Sequence, residues 1–210
     1  MSKLQKILPI IIVLVSSFLA VFPLLHPGLP PTHDGEYHVV RFYEFDKTLR
    51  DGNIYPLWAA DLNFKYGVPL FNYVYPLPNY MASIFHFFGA SFIDAFKLNM
   101  FAATLVGAIG MYFWASAAYG KKSGIVASIF YTFAPYHFLD MYIRGSVGEV
   151  WALALFPVFL YFFHEACLFL KQRNFIIGGI LFALIIFSHN ILAVMFAGFA
   201  LTYSILLISQ

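Results

Sequence analysis

Residues 97–122 read KLNMFAATLVGAIGMYFWASAAYGKK. Leu98 to Tyr119 is a run of 22 residues without a charge, bracketed by Lys97 and the pair Lys121-Lys122. A transmembrane helix needs about 20 such residues. The run is too long for a core helix that ends where its apolar pattern ends, and it closes on a basic pair of the kind that stays on the cytoplasmic side. This segment therefore predicts a membrane span with its C-terminal end inside.

The rest of the chain agrees with that reading. Apolar residues make up 61% of the sequence and charged residues 10%, against roughly 25% charged in soluble domains. A soluble chain of 210 residues could not cover its surface with so few charges. Net charge is +2, too small to point to nucleic acid. Cys167, the single cysteine, lies in an apolar run and reads as a small buried hydrophobe. Near the N-terminus, Lys3 and Lys6 precede a 19-residue apolar run, Ile7 to Leu25. That run is longer than the roughly 7–15 residues of a signal peptide core and no A-x-A site follows, so it reads as a retained span.

Three basic clusters, Lys3/Lys6, Lys121/Lys122 and Lys171/Arg173, set the topology. All three fall inside if Leu77–Ile93 lies along the outer interface rather than crossing, and Pro76, Pro78, His86, Gly89 and Asp94 break that run in the way an interfacial helix tolerates. The expectation is an all-α polytopic bundle of six spans, 7–25, 97–119, 123–138, 150–170, 174–188 and 190–208. The N-terminus is cytoplasmic in the cell (inner) membrane, and the loop 26–96 is outside and carries surface helices. The apolar run stops at the chain end, Gln210, which reads as a fragment of a longer protein.

The first outer loop holds ten of the 22 charged residues, between Asp34 and Lys65. Asp34 to Arg50 has helical spacing, with Val39, Phe42, Tyr43 and Leu49 on one face, Glu44, Asp46, Lys47 and Arg50 on the other, and Gly52 as a stop. Asp34 sits where an N-cap would. It also forms an acid-x-acid pair with Glu36, flanked by His33 and His38, and such a group can hold a general base or a divalent cation. The aromatic residues that follow, Tyr55 to Tyr80, suit an interfacial belt or stacking on a sugar or lipid chain.

The second outer loop, Asp140 to Glu149, joins three charges to Gly145 and Gly148. Its Arg144 offers a planar fork matched to phosphate oxygens; the glycines allow either a close backbone approach or a plain turn. Later, His189-Asn190 interrupts an apolar stretch as a polar turn or a donor pair, with Asp34 or Glu149 as partners. His86, His137 and His164 carry no such reading.

His33-Asp34-Gly35-Glu36, Tyr142-Ile143-Arg144-Gly145-Ser146 with Gly148-Glu149, and Ser188-His189-Asn190, in this order of spans and loops, resemble the N-terminal module of the GT-C class of membrane glycosyltransferases. Within it the chain is most similar to the bacterial membrane proteins labelled "6-pyruvoyl-tetrahydropterin synthase-related". The resemblance implies transfer of a sugar from a polyprenyl-phosphate donor at the outer face, with membrane lipid and a lipid-linked sugar as partners. It implies Asp34, with Glu36, as the catalytic acids. Arg144, His189, Asn190 and Lys97, and less directly Arg41, would receive the phosphate. Asp34, Asp140, Glu149 and His38 would be the ligands of a divalent cation such as Mg or Mn. Family members are longer, which implies that this piece is inactive alone. Two other classes fit the composition: a lipid or polyol transporter or flippase, and a non-catalytic membrane subunit.

Overall fold

The computed structural model describes residues 3–209 and is mostly helical. Its helices are α1 (Lys3–Val21), α2 (Gly35–Arg50), α3 (Pro76–Phe87), α4 (Phe92–Tyr119), α5 (Lys121–Thr132), α6 (Pro135–Phe138), α7 (Val147–Phe169), α8 (Gln172–Ser188) and α9 (Asn190–Ile208). Among the described residues there is no strand; one isolated antiparallel bridge, Ala59 to Val68, pins the first loop back on itself. The protein is an all-α polytopic bundle. Four segments are long and apolar enough to cross a membrane: Ile7–Leu25, Phe92–Tyr119, Val147–Phe169 and Asn190–Leu207. At 17 residues, α8 is a shorter apolar helix.

The centre of the bundle is α4 against α7, and small residues set that contact. A Cβ at Gly107 would stand 3.1 Å from the Ala154 Cα, and one at Gly110 would stand 2.8 Å from the Val158 backbone nitrogen. Lipid gives no hydrophobic drive between helices, so close backbone packing has to supply the attraction. Polar links reinforce it. Trp151 Nε1 donates to Asn99 Oδ1 over 2.8 Å, joining α7 to α4. Tyr131 OH donates to the Leu153 carbonyl over 2.6 Å and Ser128 Oγ to the Ala108 carbonyl over 2.7 Å, fixing α5 to both. Without water, each such buried group must find its partner within the protein. The apolar faces of α1 and α9 stay bare, with Val194 75% and Leu201 64% exposed, as lipid contact requires.

The apolar stretch after Lys122 is broken rather than continuous. Pro135 excludes the helical region for Ala134, which sits at φ −60°, ψ 134°. The chain turns there, restarts as α6 and passes into a π-turn, Leu139–Arg144.

α2 departs from the amphipathic surface helix expected from its spacing. Phe42 and Phe45 are core, Tyr43 is exposed, and Glu44 and Asp46 are buried rather than solvated. Each acid has a partner that makes burial tolerable. Glu44 Oε2 accepts the Asp61 amide over 3.2 Å, and Asp46 Oδ2 accepts Arg50 Nε over 2.7 Å. α2 therefore packs edge-in against α3 and α4 and holds its N-terminus over the end of α7.

Candidate functional site

The two polar loops meet through their backbones. His33 N donates to the Ile143 carbonyl over 2.9 Å and Asp34 N to the Arg144 carbonyl over 2.8 Å. Gly145 makes this docking possible in two ways. It sits at φ +69°, in the left-handed region, and a Cβ there would run into the Thr32 side chain. Both sequence readings of this glycine, turn and close approach, hold.

Asp34 occupies the N-cap position but its side chain does not cap. Thr32 Oγ1 accepts the Gly35 N–H instead, over 3.1 Å. The Asp34 carboxylate, half-buried, makes no hydrogen bond among the described residues. Its neighbour Glu36 is exposed on the first turn of α2.

The second loop builds a charge cluster. The π-turn brings Asp140 and Arg144 onto one side, and the first turn of α7 adds Glu149. Arg144 Nη1 donates to Asp140 Oδ1 at 2.9 Å, to Glu149 Oε2 at 2.7 Å and to Tyr136 OH at 3.1 Å. Its Nη2 donates to Glu149 Oε1 at 2.5 Å, completing a bidentate fork. Tyr136 OH donates to Glu149 Oε2 at 2.8 Å. Asp140 is fully buried and its Oδ2 has no partner. Burial, with the Glu149 carboxylate beside it, pushes the Asp140 carboxyl up to about 7 against the pull of Arg144.

His189 closes the cluster. Its Nε2 lies 3.6 Å from Glu149 Oε1, and its Nδ1 accepts the Leu192 N–H over 3.3 Å to cap α9. A ring that accepts at Nδ1 carries its proton on Nε2, towards Glu149. Burial lowers the imidazole's basicity, and Glu149 opposes that. Tyr75, at the start of α3, lies against the His189 ring with centroids 4.6 Å apart. Gly148 leaves room for both: a Cβ there would stand 2.7 Å from the Ser188 carbonyl oxygen and 2.9 Å from Tyr75 Cδ2.

The structure thus gathers Asp34, Asp140, Arg144, Glu149 and His189 at one end of the bundle. It leaves others apart. Asn190 is exposed on α9 and its side chain makes no hydrogen bond among the described residues. Lys97 Nζ donates to the His26 carbonyl over 2.7 Å, and Lys97 lines an apolar crevice of about 360 Å³ between α1 and α4, walled by Phe18, Val21, Leu25, Leu98 and Phe101. His38 is turned into the core between Phe42 and Phe96, at 5.9 and 6.3 Å. Burial and the nearby Arg41 pull His38 down to about 3, so it is neutral.

Among the described residues no three His, Cys, Asp or Glu side chains converge as a ligand set. The guanidinium of Arg144 occupies the space between Asp140 and Glu149, where a divalent cation would have to sit, and His38 faces away. The residues present do not fit a cation bridging those two acids. Two groups that the sequence reading did not place in the cluster, Tyr136 and Tyr75, belong to it. Their signal is weak in a chain with 20% aromatic residues.

Comparison with known proteins agrees with the membrane architecture. A protein of Lactococcus lactis subsp. cremoris (strain MG1363), described as uncharacterized, is 23% identical over 205 residues. The alignment covers 94% of this chain and 33% of that protein, so the chain spans about a third of its relative's length. No solved structure matches the chain. The family model described as "6-pyruvoyl-tetrahydropterin synthase related domain; membrane protein" matches residues 71–210, a stretch that includes Asp140, Arg144, Glu149 and His189. This integral membrane protein belongs to that family.

Proposed function

We propose that the protein is the N-terminal module of a membrane glycosyltransferase that takes a sugar from a polyprenyl-phosphate donor. In this reading the cluster faces the non-cytoplasmic side of the cell (inner) membrane and the N-terminus is cytoplasmic. The observation that carries the proposal is the Asp34 carboxylate: half-buried, without a hydrogen bond among the described residues, and docked by its own backbone to the loop that carries Arg144. A carboxylate held in place yet left unengaged suits a general base.

The chemistry follows from bond accounting. An acceptor hydroxyl attacks the anomeric carbon, the bond from that carbon to the phosphate oxygen breaks, and the hydroxyl proton passes to Asp34. Negative charge grows on the departing lipid phosphate, where fixed cations lower the barrier. The apolar crevice beside Lys97 suits an isoprenoid chain. Glu36, exposed two positions on, would serve the acceptor side.

The test is Asp34→Asn in the full-length protein, assayed in vesicles with a polyprenyl-phosphate sugar. Loss of a positioned base lowers transfer by about 100- to 10,000-fold. Transfer at the wild-type rate would remove Asp34 from the chemistry. A carrier of lipid or polyol would instead move its substrate across the vesicle without making a glycosidic bond.

A further inference from the structure

Three cations are candidates to meet the phosphate: Arg144, Lys97 and Arg41. Their surroundings differ. Arg144 spends its hydrogen bonds on Tyr136, Asp140 and both oxygens of Glu149. Recruiting it for a ligand would leave two buried carboxylates uncompensated. Lys97 is tied to the His26 carbonyl. Arg41 is half-buried, and among the described residues its guanidinium makes no hydrogen bond and no ion pair within 4.0 Å. Taking a guanidinium partly out of water without a partner is unfavourable, so a bundle that keeps one calls for something to meet it.

The position of Arg41 says where that something would lie. Seven residues separate Asp34 from Arg41, close to two helical turns. Both therefore sit on one face of α2, the face whose N-terminal end meets the Arg144 carbonyl. Burial lowers the guanidinium's basicity, while the charges of Asp34, Tyr75 and Tyr37 act to raise it. Burial, and then the Glu149 charge, push the Tyr75 hydroxyl up, against the pull of Arg41. Its ring lies tilted against His189, which faces Glu149. Arg41 thus lies on the face of α2 that carries Asp34, which the backbone docks to the Arg144 loop, and that loop reaches Glu149, His189 and Tyr75.

We propose that Arg41 holds the phosphate oxygens of the ligand, and that Arg144 is a strut that keeps Asp140 and Glu149 in place. This rests on the glycosyl-transfer reading for the identity of the ligand as a phosphate ester, but the binding role can be tested without any transfer.

The experiment uses the full-length protein in phosphatidylcholine nanodiscs, with Tm read against rising concentrations of undecaprenyl phosphate or of inorganic phosphate. A ligand that binds the folded state raises Tm. The wild type gains a concentration-dependent rise. Arg41→Gln keeps the wild-type Tm without ligand, because the half-buried guanidinium it removes has no partner among the described residues, and its apparent affinity falls at least about tenfold. Arg41→Lys retains part of the response, as a point charge without the fork. Arg144→Gln lowers Tm even without ligand. A response to undecaprenyl phosphate alone assigns a lipid phosphate; an equal response to inorganic phosphate assigns the anion site but removes the lipid donor. If binding holds and no sugar is transferred by the wild type, the transfer reading fails and this one stands. A ligand-free Tm lowered in Arg41→Gln, binding kept within about twofold, or no response of the wild type to either probe, would each overturn it.

Discussion

The Asp34 amide donates to the Arg144 carbonyl across 2.8 Å, joining two loops that are 110 residues apart in the chain. The bond is main-chain on both sides, so it does not depend on the side chains at these positions, and it sets the acid of one loop over the charge cluster of the other. Its geometry depends on Gly145 and Thr32 more than on the two residues it joins.

Gly145→Ala should therefore separate the loops. The residue would have to keep φ +69° and would press on the Thr32 side chain. The expected cost is about 1–3 kcal/mol, read as a drop in Tm of the full-length protein. Thr32→Ala in the same background relieves the contact but leaves the backbone strain and removes the cap on Gly35, so recovery is incomplete. Full recovery in the double variant would show that the clash, and not the left-handed turn, was the constraint.

Arg144→Gln strands Asp140 and Glu149. Breaking a buried pair costs about 3–5 kcal/mol, but Arg144 is about one-third exposed, and solvent screening reduces the loss to about 2–3 kcal/mol. Asp140→Asn in that background removes one of the two stranded charges and recovers part of the stability. A double-mutant cycle in thermal or denaturant unfolding measures the coupling; independence of the two changes would refute the strut.

Much of this was legible in the sequence, and the parts that were not share a cause. The start of α2 is announced by Pro30-Pro31 and its end by Gly52. Asp140 and Arg144 stand four apart, the spacing that lets them pair. In each case the partner lies within a turn or two. Burial of Glu44 depends on the Asp61 amide, 17 residues away, and the pattern of α2 alone puts that acid in solvent. Tyr75 reaches the site only because Gly148 and the Ser188 carbonyl leave it a slot. Local spacing carries none of these long-range contacts. The break before α6 is different, since Pro135 stands in plain view within the apolar stretch.

The Asp140 carboxyl gives the fold a pH dependence of definite sign. Its ordinary value is 3.8, and burial beside Glu149 raises it to about 7 in the folded protein. Between those values the folded state binds the proton more firmly than the unfolded chain does. Stability therefore falls as pH rises from about 4 to about 7 and levels off above. Asp140→Asn, which imitates the protonated group, should flatten that decline. Tm measured from pH 4.5 to 7.5 on wild type and variant tests it, and parallel curves would place the titration elsewhere.

Gly148→Ala tests the slot at the other side of the cluster. The added methyl would meet the Ser188 carbonyl oxygen at 2.7 Å and the Tyr75 ring at 2.9 Å. The ring can rotate away, but the carbonyl belongs to the end of α8 and cannot move without carrying His189 with it. Overpacking of this kind costs about 1–3 kcal/mol. The comparison is Gly178→Ala, in the same bundle, where a Cβ meets nothing within 4 Å. That change should be neutral or stabilise α8 by up to about 1 kcal/mol. Tyr75→Ala combined with Gly148→Ala separates the two contacts: because the carbonyl remains, the pair should stay below Tyr75→Ala alone in Tm. Equal Tm values would assign the whole constraint to the ring and free the α8–α9 turn, and His189 with it, from any dependence on Gly148.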